Sequence, residues 1–199
     1  MDIKYIRFIV FVLVIVALVF VLNKKTVSNE KVGHHVMSDG TVMKNGDTHM
    51  HGSMMVSNDQ EFLAGMIPHH EEAVLTAKIV LEKGGTFPEI KTLAENIIVA
   101  QEKEIEDMKS WYKEITGDEY KDSGNYDPMM RDLSNLSKEE LDKTFLEDMV
   151  VHHMGAIMMA EQALDFSENE NIKNLSREIV KSQSEEIKEM RNYLISKFK

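Results

Sequence analysis

An internal repeat constrains the fold of this chain more than any other feature of its sequence. Residues 62–77, FLAGMIPHHEEAVLTA, share Phe, Leu, Met, two adjacent His and two Ala with residues 145–160, FLEDMVVHHMGAIMMA, at the same offsets. Residues 90–112 share Ile, Lys, Leu, Gln, Glu and Met with residues 172–194 in the same way. The apolar positions recur with helical spacing, so the chain is predicted to use one helical hairpin twice.

Four amphipathic helices can bury their apolar faces by packing against one another. We therefore predict an all-α fold, an antiparallel four-helix bundle of the ferritin-like type that occupies residues 58–199. The bundle is predicted to consist of two hairpins, 58–116 and 137–199. Glycine and proline residues lie between the predicted helices, where they end one helix and open the next.

The beginnings of the first and third helices carry a capping signal. Asn58 is followed three residues later by Glu61, and Ser137 is followed by Glu140 at the same spacing. A short polar side chain at the N-cap and a Glu at the third helical position satisfy exposed backbone N–H groups reciprocally. Both pairs are therefore predicted to be capping boxes that fix the start of each hairpin.

The N-terminal 25 residues contain an apolar run, FIVFVLVIVALVFVL, with basic residues on both sides. With its neighbours the run reaches the roughly 20 residues that a membrane-spanning helix needs. No small-residue cleavage motif follows it, so residues 1–25 are predicted to be an uncleaved transmembrane signal-anchor, with a cleaved signal peptide as the alternative. The expected location is the cell membrane, single-pass, with the soluble domain extracytoplasmic, or secreted or periplasmic if the segment is cleaved.

Residues 26–57 are rich in Gly, Ser, Asn and Asp and are predicted to be a flexible linker. The segment also concentrates His and Met, and a linker has no core that these side chains would fill. Short His-rich tracts are typical of metal binding, and imidazole combined with thioether suits copper. Biased composition without function is the alternative. The weaker candidate ligands here are His34, His35, His49, Met50, His51, Met54 and Met55.

Charge and composition exclude several classes of function. The formal net charge of −11 disfavours contact with a phosphate backbone, so no nucleic-acid partner is expected. The chain has no cysteine, which excludes disulfides, thiolate zinc sites and iron–sulfur clusters. It has 15 methionines and 8 histidines, which leaves imidazole and thioether as the characteristic metal-binding groups.

Polar residues fall on the helix faces that should be buried in the bundle. The first and third helices each place a Met three residues before an adjacent His pair, where the side chains converge on one point. The second and fourth helices place Glu and Met on their apolar faces. A buried imidazole or carboxylate is costly unless it is paired or bound to a metal, and a structural His–Glu network is the alternative to a metal site. The candidate ligands are Met66, His69, His70, Met149, His152, His153, Glu104, Glu186, Met108 and Met190.

The type of ligand indicates which metal the bundle would bind. Ferritin-like di-iron bundles take Glu-x-x-His from two helices and Glu from the other two. This chain has Met-x-x-His on two helices and Glu on the other two. Replacing a hard carboxylate by a soft thioether moves the preference from iron and manganese toward copper, with Cu(I) favoured and Cu(II) as the other candidate.

The motifs MIPHHEEAV and MVVHHMGAIMMA, each followed by a helix with QEKEIEDM or QSEEIKEM, resemble a known family. This family is catalogued as domain of unknown function 305 (DUF305), and its members include the CopM-type copper-binding proteins. The resemblance covers roughly residues 58–198. It implies a ferritin-like four-helix bundle, an extracytoplasmic location and copper binding or resistance. The ligands that it implies are the Met and His of the two motifs: Met66, His69, His70, Met149, His152 and His153.

These features together predict a membrane-tethered, extracytoplasmic copper-binding protein that acts as a chaperone, buffer or resistance factor and is not an enzyme. Its expected partners are copper ions, the membrane through the N-terminal helix, and a copper-transporting protein. One alternative is a ferritin-like di-metal or copper oxidase, which Glu104 and Glu186 motivate. The other alternative is a structural helical bundle that binds no metal.

Overall fold

The computed structural model describes residues 34–36, 42–44 and 54–198. The chain divides into two units, Met1–Asp47 and Thr48–Lys199. In the first unit, strand β1 (His34–Val36) pairs antiparallel with strand β2 (Val42–Lys44). The residue pattern of the predicted linker contains no signal for these two strands.

The predicted signal-anchor, residues 1–25, lies outside the described residues, as do His49, Met50 and His51 of the predicted linker. Among the helices that the structure describes, none combines the length and the apolar character needed to cross a membrane.

The second unit contains four long helices. They are α1 (Asp59–Lys83), α2 (Pro88–Thr116), α3 (Lys138–Phe166) and α4 (Glu170–Lys197). Helix α1 packs along α2, and α3 packs along α4, which gives the two hairpins expected from the repeat. The hairpins meet mainly through α1 and α3. The predicted all-α bundle of two successive helical hairpins is therefore confirmed for this unit.

The direction of the helices follows from contacts at their ends. Gly85, at the end of α1, lies against Asp142 in the first turns of α3, so α1 and α3 are antiparallel. Helices α2 and α3 then run in the same direction, and the segment 117–137 between them must return along the length of the bundle. Leu133 of this crossover is buried in the core. One long crossover is the connection found in ferritin-like bundles.

The helix ends agree largely with the predicted caps. Ser137 and Glu140 form a complete capping box at the start of α3. Asn58 caps α1 by accepting from the Glu61 N–H at 2.9 Å. The Glu61 carboxylate, however, accepts from the N–H of Ser57 at 3.0 Å. The first capping box is therefore only half formed, because the preceding serine competes for the carboxylate.

The bundle core consists of two hydrophobic clusters. The first cluster contains Phe62 and Met66 with the N-terminal part of α4, and the second contains Phe145 and Met149 with the N-terminal part of α2. Buried polar residues lie between the two clusters along every helix. Ahead of α1, the structure also places Met54 in the first cluster, although this residue falls in the predicted linker.

A buried carboxylate joins the two hairpins at one end of the bundle. Asp142 of α3 accepts hydrogen bonds from the N–H groups of Thr86, at 2.6 Å, and Phe87, at 2.9 Å. These N–H groups open α2, so Asp142 caps a helix of the other hairpin. A methyl group added to Gly85 would lie 1.7 Å from Asp142 Oδ1. The close approach of this turn to α3 therefore requires glycine.

We expect Gly85→Ala to lower the free energy of unfolding by about 1–3 kcal/mol, because the added methyl group overlaps the Asp142 carboxylate. Asp142→Ala should itself cost about 1–3 kcal/mol, because two buried N–H groups lose their acceptor. In the Asp142→Ala background the methyl group at position 85 meets no carboxylate. The double variant should therefore lose less stability than the sum of the two single variants. Urea unfolding of the single and double variants measures this coupling, with exposed Asp127→Ala as the control. Strictly additive losses would contradict the contact.

Candidate metal centre

Four histidines form a polar layer between the two hydrophobic clusters. His69 and His70 of α1 and His152 and His153 of α3 are each at most 1% exposed. On each helix one histidine of the pair faces the hairpin partner, and the other faces the interface between α1 and α3. We refer to these four residues as the histidine layer.

One histidine of each pair is hydrogen-bonded to a carboxylate of its hairpin partner. His70 Nε2 lies 2.8 Å from Glu104 Oε2 of α2, and His153 Nε2 lies 2.6 Å from Glu186 Oε2 of α4. A neutral imidazole that donates its Nε2–H group to a carboxylate presents a lone pair at Nδ1. Both Nδ1 atoms are buried, and neither has a hydrogen-bond partner among the described residues.

A third carboxylate approaches His152. Its Nε2 lies 3.3 Å from Oε2 of Glu72, which follows His69 by about one turn on α1. Glu72 Oε2 also accepts from the Tyr126 hydroxyl at 2.5 Å, and Glu72 Oε1 accepts from the N–H groups of Met129 and Met130 at 2.8 and 2.9 Å. The crossover segment therefore fixes the carboxylate that faces His152.

His69 differs from the other three histidines because no carboxylate faces it in the described structure. Its ring stacks on that of His152, with centroids 3.7 Å apart and an angle of 35° between the planes. Both ring nitrogens of His69 are buried without a hydrogen-bond partner in residues 54–198. In the neutral ring one of these two nitrogens carries the lone pair, and that nitrogen can bind a metal ion.

Burial keeps the stacked histidines neutral. It lowers the pKa of His69 well below the ordinary value, and the neighbouring His152 lowers it further. Burial also lowers the pKa of His152 to about 4, although its contact with Glu72 works in the opposite direction. Burial raises the pKa of Glu72, but hydrogen bonds from His152, Tyr126 and the Met130 N–H outweigh it, and the net pKa is lowered. Near neutral pH the stacked imidazoles therefore carry lone pairs, which metal binding requires.

The predicted methionine ligands flank the histidine layer on its two sides. Met66 and Met108 belong to the first cluster, and Met149 and Met190 belong to the second; all four are fully buried. The buried amide oxygens of Gln101 and Gln183, on α2 and α4, also lack hydrogen-bond partners among the described residues. Imidazole nitrogen, thioether sulfur and amide oxygen together form a donor set that fits copper better than a hard cation.

Several predicted ligands do not lie free in the core. Glu104 and Glu186 are each hydrogen-bonded to a histidine, so in this structure they orient imidazole rings. Met55 is 65% exposed. His34 and His35 lie on strand β1 in the other unit. In the described part of the chain, no group of three or more His, Asp or Glu side chains is arranged to hold a metal ion.

Two contributors to the layer were not predicted from the sequence. Glu72 follows His69 by three residues, and this spacing is a signal that could have placed it on the same helix face. Tyr126 lies in the crossover, in a stretch without periodicity, and nothing local indicates that its hydroxyl reaches α1.

The sequence model of the family described as "Domain of unknown function (DUF305)" matches residues 59–194 of this chain. Among solved structures, CopM in the Cu(I)-bound form is 33% identical with a TM-score of 0.66, covering 71% of this chain and 99% of that chain. CopM in the Cu(II)-bound form is 34% identical with a TM-score of 0.65, covering 70% and 97%. A DUF305 fragment from Deinococcus radiodurans is 27% identical with a TM-score of 0.60, covering 68% and 94%.

A curated relative, an uncharacterized protein of Acanthamoeba polyphaga mimivirus, is 42% identical over 53 residues. The match covers 27% of this chain and 34% of the viral protein. The match therefore spans about a third of the viral protein's length, and it does not indicate a function for the present chain.

The metal-free bundle should lose stability on mild acidification. The unfolded chain protonates its histidines near pH 6.5, whereas the folded bundle holds His152 neutral down to about pH 4. The stability contribution is therefore complete above pH 6.5 and falls between pH 6.5 and 4, because the unfolded state takes up protons first. Urea unfolding with a chelator present measures this slope. His152→Gln should reduce this slope, leaving the contribution of His69, whose pKa is also lowered. Gln183→Leu, at another buried polar residue, should leave the slope unchanged. Equal slopes in the unmodified chain and both variants would contradict the assignment.

Proposed function

The chain belongs to the DUF305 family, and on this premise we propose that it is a copper-binding protein whose histidine layer, with neighbouring thioethers, holds the ion. CopM, which shares the fold at 33–34% identity, has been crystallised in Cu(I)-bound, Cu(II)-bound and Ag-bound forms. The similarity supports a copper-related role for this chain. The proposal extends that role to particular residues and to a location.

The observation that carries the proposal is that ring nitrogens of the histidine layer are buried without a hydrogen-bond partner among the described residues, and we call them bare nitrogens. Each of the four histidines keeps at least one buried ring nitrogen without a hydrogen-bond partner among the described residues. A buried polar atom without a partner costs about 1–3 kcal/mol of stability, so four such side chains at one level are expensive. A bound metal ion would satisfy nitrogens that no protein group satisfies.

The donor atoms favour the reduced ion. Fully buried thioethers on both sides of the layer suit Cu(I), whereas imidazole alone accepts either oxidation state. Thioether and imidazole form no disulfides, so the set remains competent in an oxidising compartment, where thiols would be lost. We therefore propose Cu(I) as the principal cargo, with Cu(II) as the other state that the imidazoles would accept.

Ions can approach the layer through carboxylates that touch both solvent and histidine. The side chains of Glu104 and Glu186 are 17% and 21% exposed, while their partners His70 and His153 are fully buried. Glu104 also lines a groove of about 580 Å³ between α2 and α4. These carboxylates would attract a cation at the surface and release an imidazole to it.

The cellular setting that we propose follows from the segments before the bundle. An N-terminal anchor would hold the bundle at the outer side of a membrane, and the His- and Met-rich segment 34–55 would collect ions. The protein would then buffer copper or pass it to a copper-transporting partner. Membrane fractionation with protease protection of the intact chain tests the location independently of copper binding.

A ferritin-like di-metal or copper oxidase is the second candidate, and the pairing of carboxylate with histidine in each hairpin is the observation that favours it. It is less well supported, because both carboxylates are hydrogen-bonded to imidazoles. Oxygen consumption on addition of Cu(I) or Fe(II), lost in Glu104→Gln, would favour the oxidase. A thermal unfolding midpoint that neither Cu(I) nor Cu(II) changes would favour a purely structural role.

We expect the full-length chain to bind Cu(I) tightly through its bundle when it is titrated anaerobically against a chromogenic chelator. The double variant His69→Gln, His152→Gln should weaken the tightest site at least tenfold, which is about 1.4 kcal/mol, because the bare nitrogens are lost. The matched control replaces His34, His35, His49 and His51 by Ala, and it should keep that site. Circular dichroism verifies that the helices remain. Unchanged affinity in the bundle variant, with loss in the control, would refute a site in the bundle.

A further inference from the structure

The two copies of the repeat differ at one position that faces the histidine layer. Glu72 follows His69 by three residues, and Gly155 follows His152 by three, so the two residues are equivalent in the repeat. Glu72 lies across the α1–α3 interface against His152. By the same symmetry Gly155 faces His69, but it has no side chain. His69 consequently lacks the carboxylate that each of the other three histidines has.

The space opened by Gly155 is filled from outside the repeat. A methyl group added to Gly155 would lie 3.0 Å from Met54 Sδ and 3.1 Å from His69 Nε2. The sulfur and the nitrogen therefore lie near one point, no more than about twice that distance apart. A thioether occupies the place next to His69 that a carboxylate occupies next to His152.

The segment that carries Met54 is fixed to the bundle by a side-chain amide. Gln162 of α3 donates from Nε2 to the Met54 carbonyl at 3.0 Å, and its Oε1 accepts from the Val56 N–H at 3.0 Å. Met54 and Val56 are buried, while Met55 between them points to solvent. Residues 54–57 thus form a short strap across α3, which we call the Met54 strap.

We propose that Met54 Sδ and His69 Nε2 are paired ligands of a soft monovalent ion, Cu(I) or Ag(I), closed by the Met54 strap over Gly155. The inference rests on the proposed copper-binding function and narrows it to one half of the histidine layer. At His152 the equivalent position holds Glu72, which the crossover segment fixes with three hydrogen bonds. The two halves of a duplicated fold are therefore chemically different, with sulfur on one side and carboxylate on the other.

The glycine itself supports this assignment. A glycine inside a helix weakens it, because the unfolded backbone is freer than that of any other residue. Gly155 lies in the middle of α3, in a helix with no break there. A side chain at this position would crowd both Met54 Sδ and His69 Nε2. Gly155 therefore leaves room for the Met54 side chain and a metal ion beside His69.

The test uses the full-length chain and Ag(I), a soft ion that does not change oxidation state under these conditions. Met54→Leu keeps the apolar volume and removes the sulfur, and it should weaken the tightest Ag(I) site at least tenfold. Met55→Leu, its exposed neighbour, is the matched control and should bind as the unmodified chain does. Gly155→Ala should weaken Ag(I) binding as well, because its methyl group occupies the ion's place. Circular dichroism verifies folding of each variant.

A second measurement needs no variant for its readout. In the unmodified chain with ¹³C-labelled Met methyl groups, the Met54 resonance, assigned with Met54→Leu, should shift on the first equivalent of Ag(I), and that of Met55 should not. Full affinity in Met54→Leu with an unmoved Met54 resonance would overturn this inference and leave the proposed function standing. An unmodified chain that binds neither Ag(I) nor Cu(I) in its bundle would overturn both.

Discussion

The burial of four imidazoles at one level of a helical bundle is the constraint on which the rest of this structure depends. Each ring carries a nitrogen that the described protein groups leave without a partner, and the layer divides the apolar core into two clusters. Such a layer opposes folding unless its polar atoms are compensated. Carboxylates approach three of the rings at one nitrogen each, and a metal ion held in the layer would compensate the nitrogens that remain.

The duplicated hairpin brings these groups together, and the segments outside it make the two halves different. The crossover places Tyr126 and two backbone N–H groups on Glu72, which in turn faces His152. The strap ahead of α1 places a methionine beside His69. Each of the two stacked histidines thereby lies against a side chain that a non-helical segment supplies or holds in place. A symmetric repeat can in this way offer two dissimilar environments to an incoming ion.

The sequence predicted the helices and the buried histidines because a repeated 3.6-residue pattern reports which face of a helix is buried. It did not predict which carboxylate meets which histidine, because periodicity carries no information about the partner helix. Glu104 and Glu186 were assigned as ligands by their face, and the structure shows them bound to His70 and His153. Composition assigned Met54 to the linker. Its place beside His69 depends on the close approach that Gly155 permits, and a contact of this kind between distant residues leaves no local pattern in the sequence.

The measurement that tests the central claim most directly is the location of silver by anomalous scattering in crystals of the protein grown with Ag(I). We predict a strong peak within the histidine layer, between the two hydrophobic clusters, within bonding distance of a ring nitrogen of His69. Peaks confined to exposed methionines or surface carboxylates, with the layer unchanged, would contradict a metal site in the layer. The four buried histidines would then be a structural network, and a copper-related role of this chain would have to reside elsewhere in it.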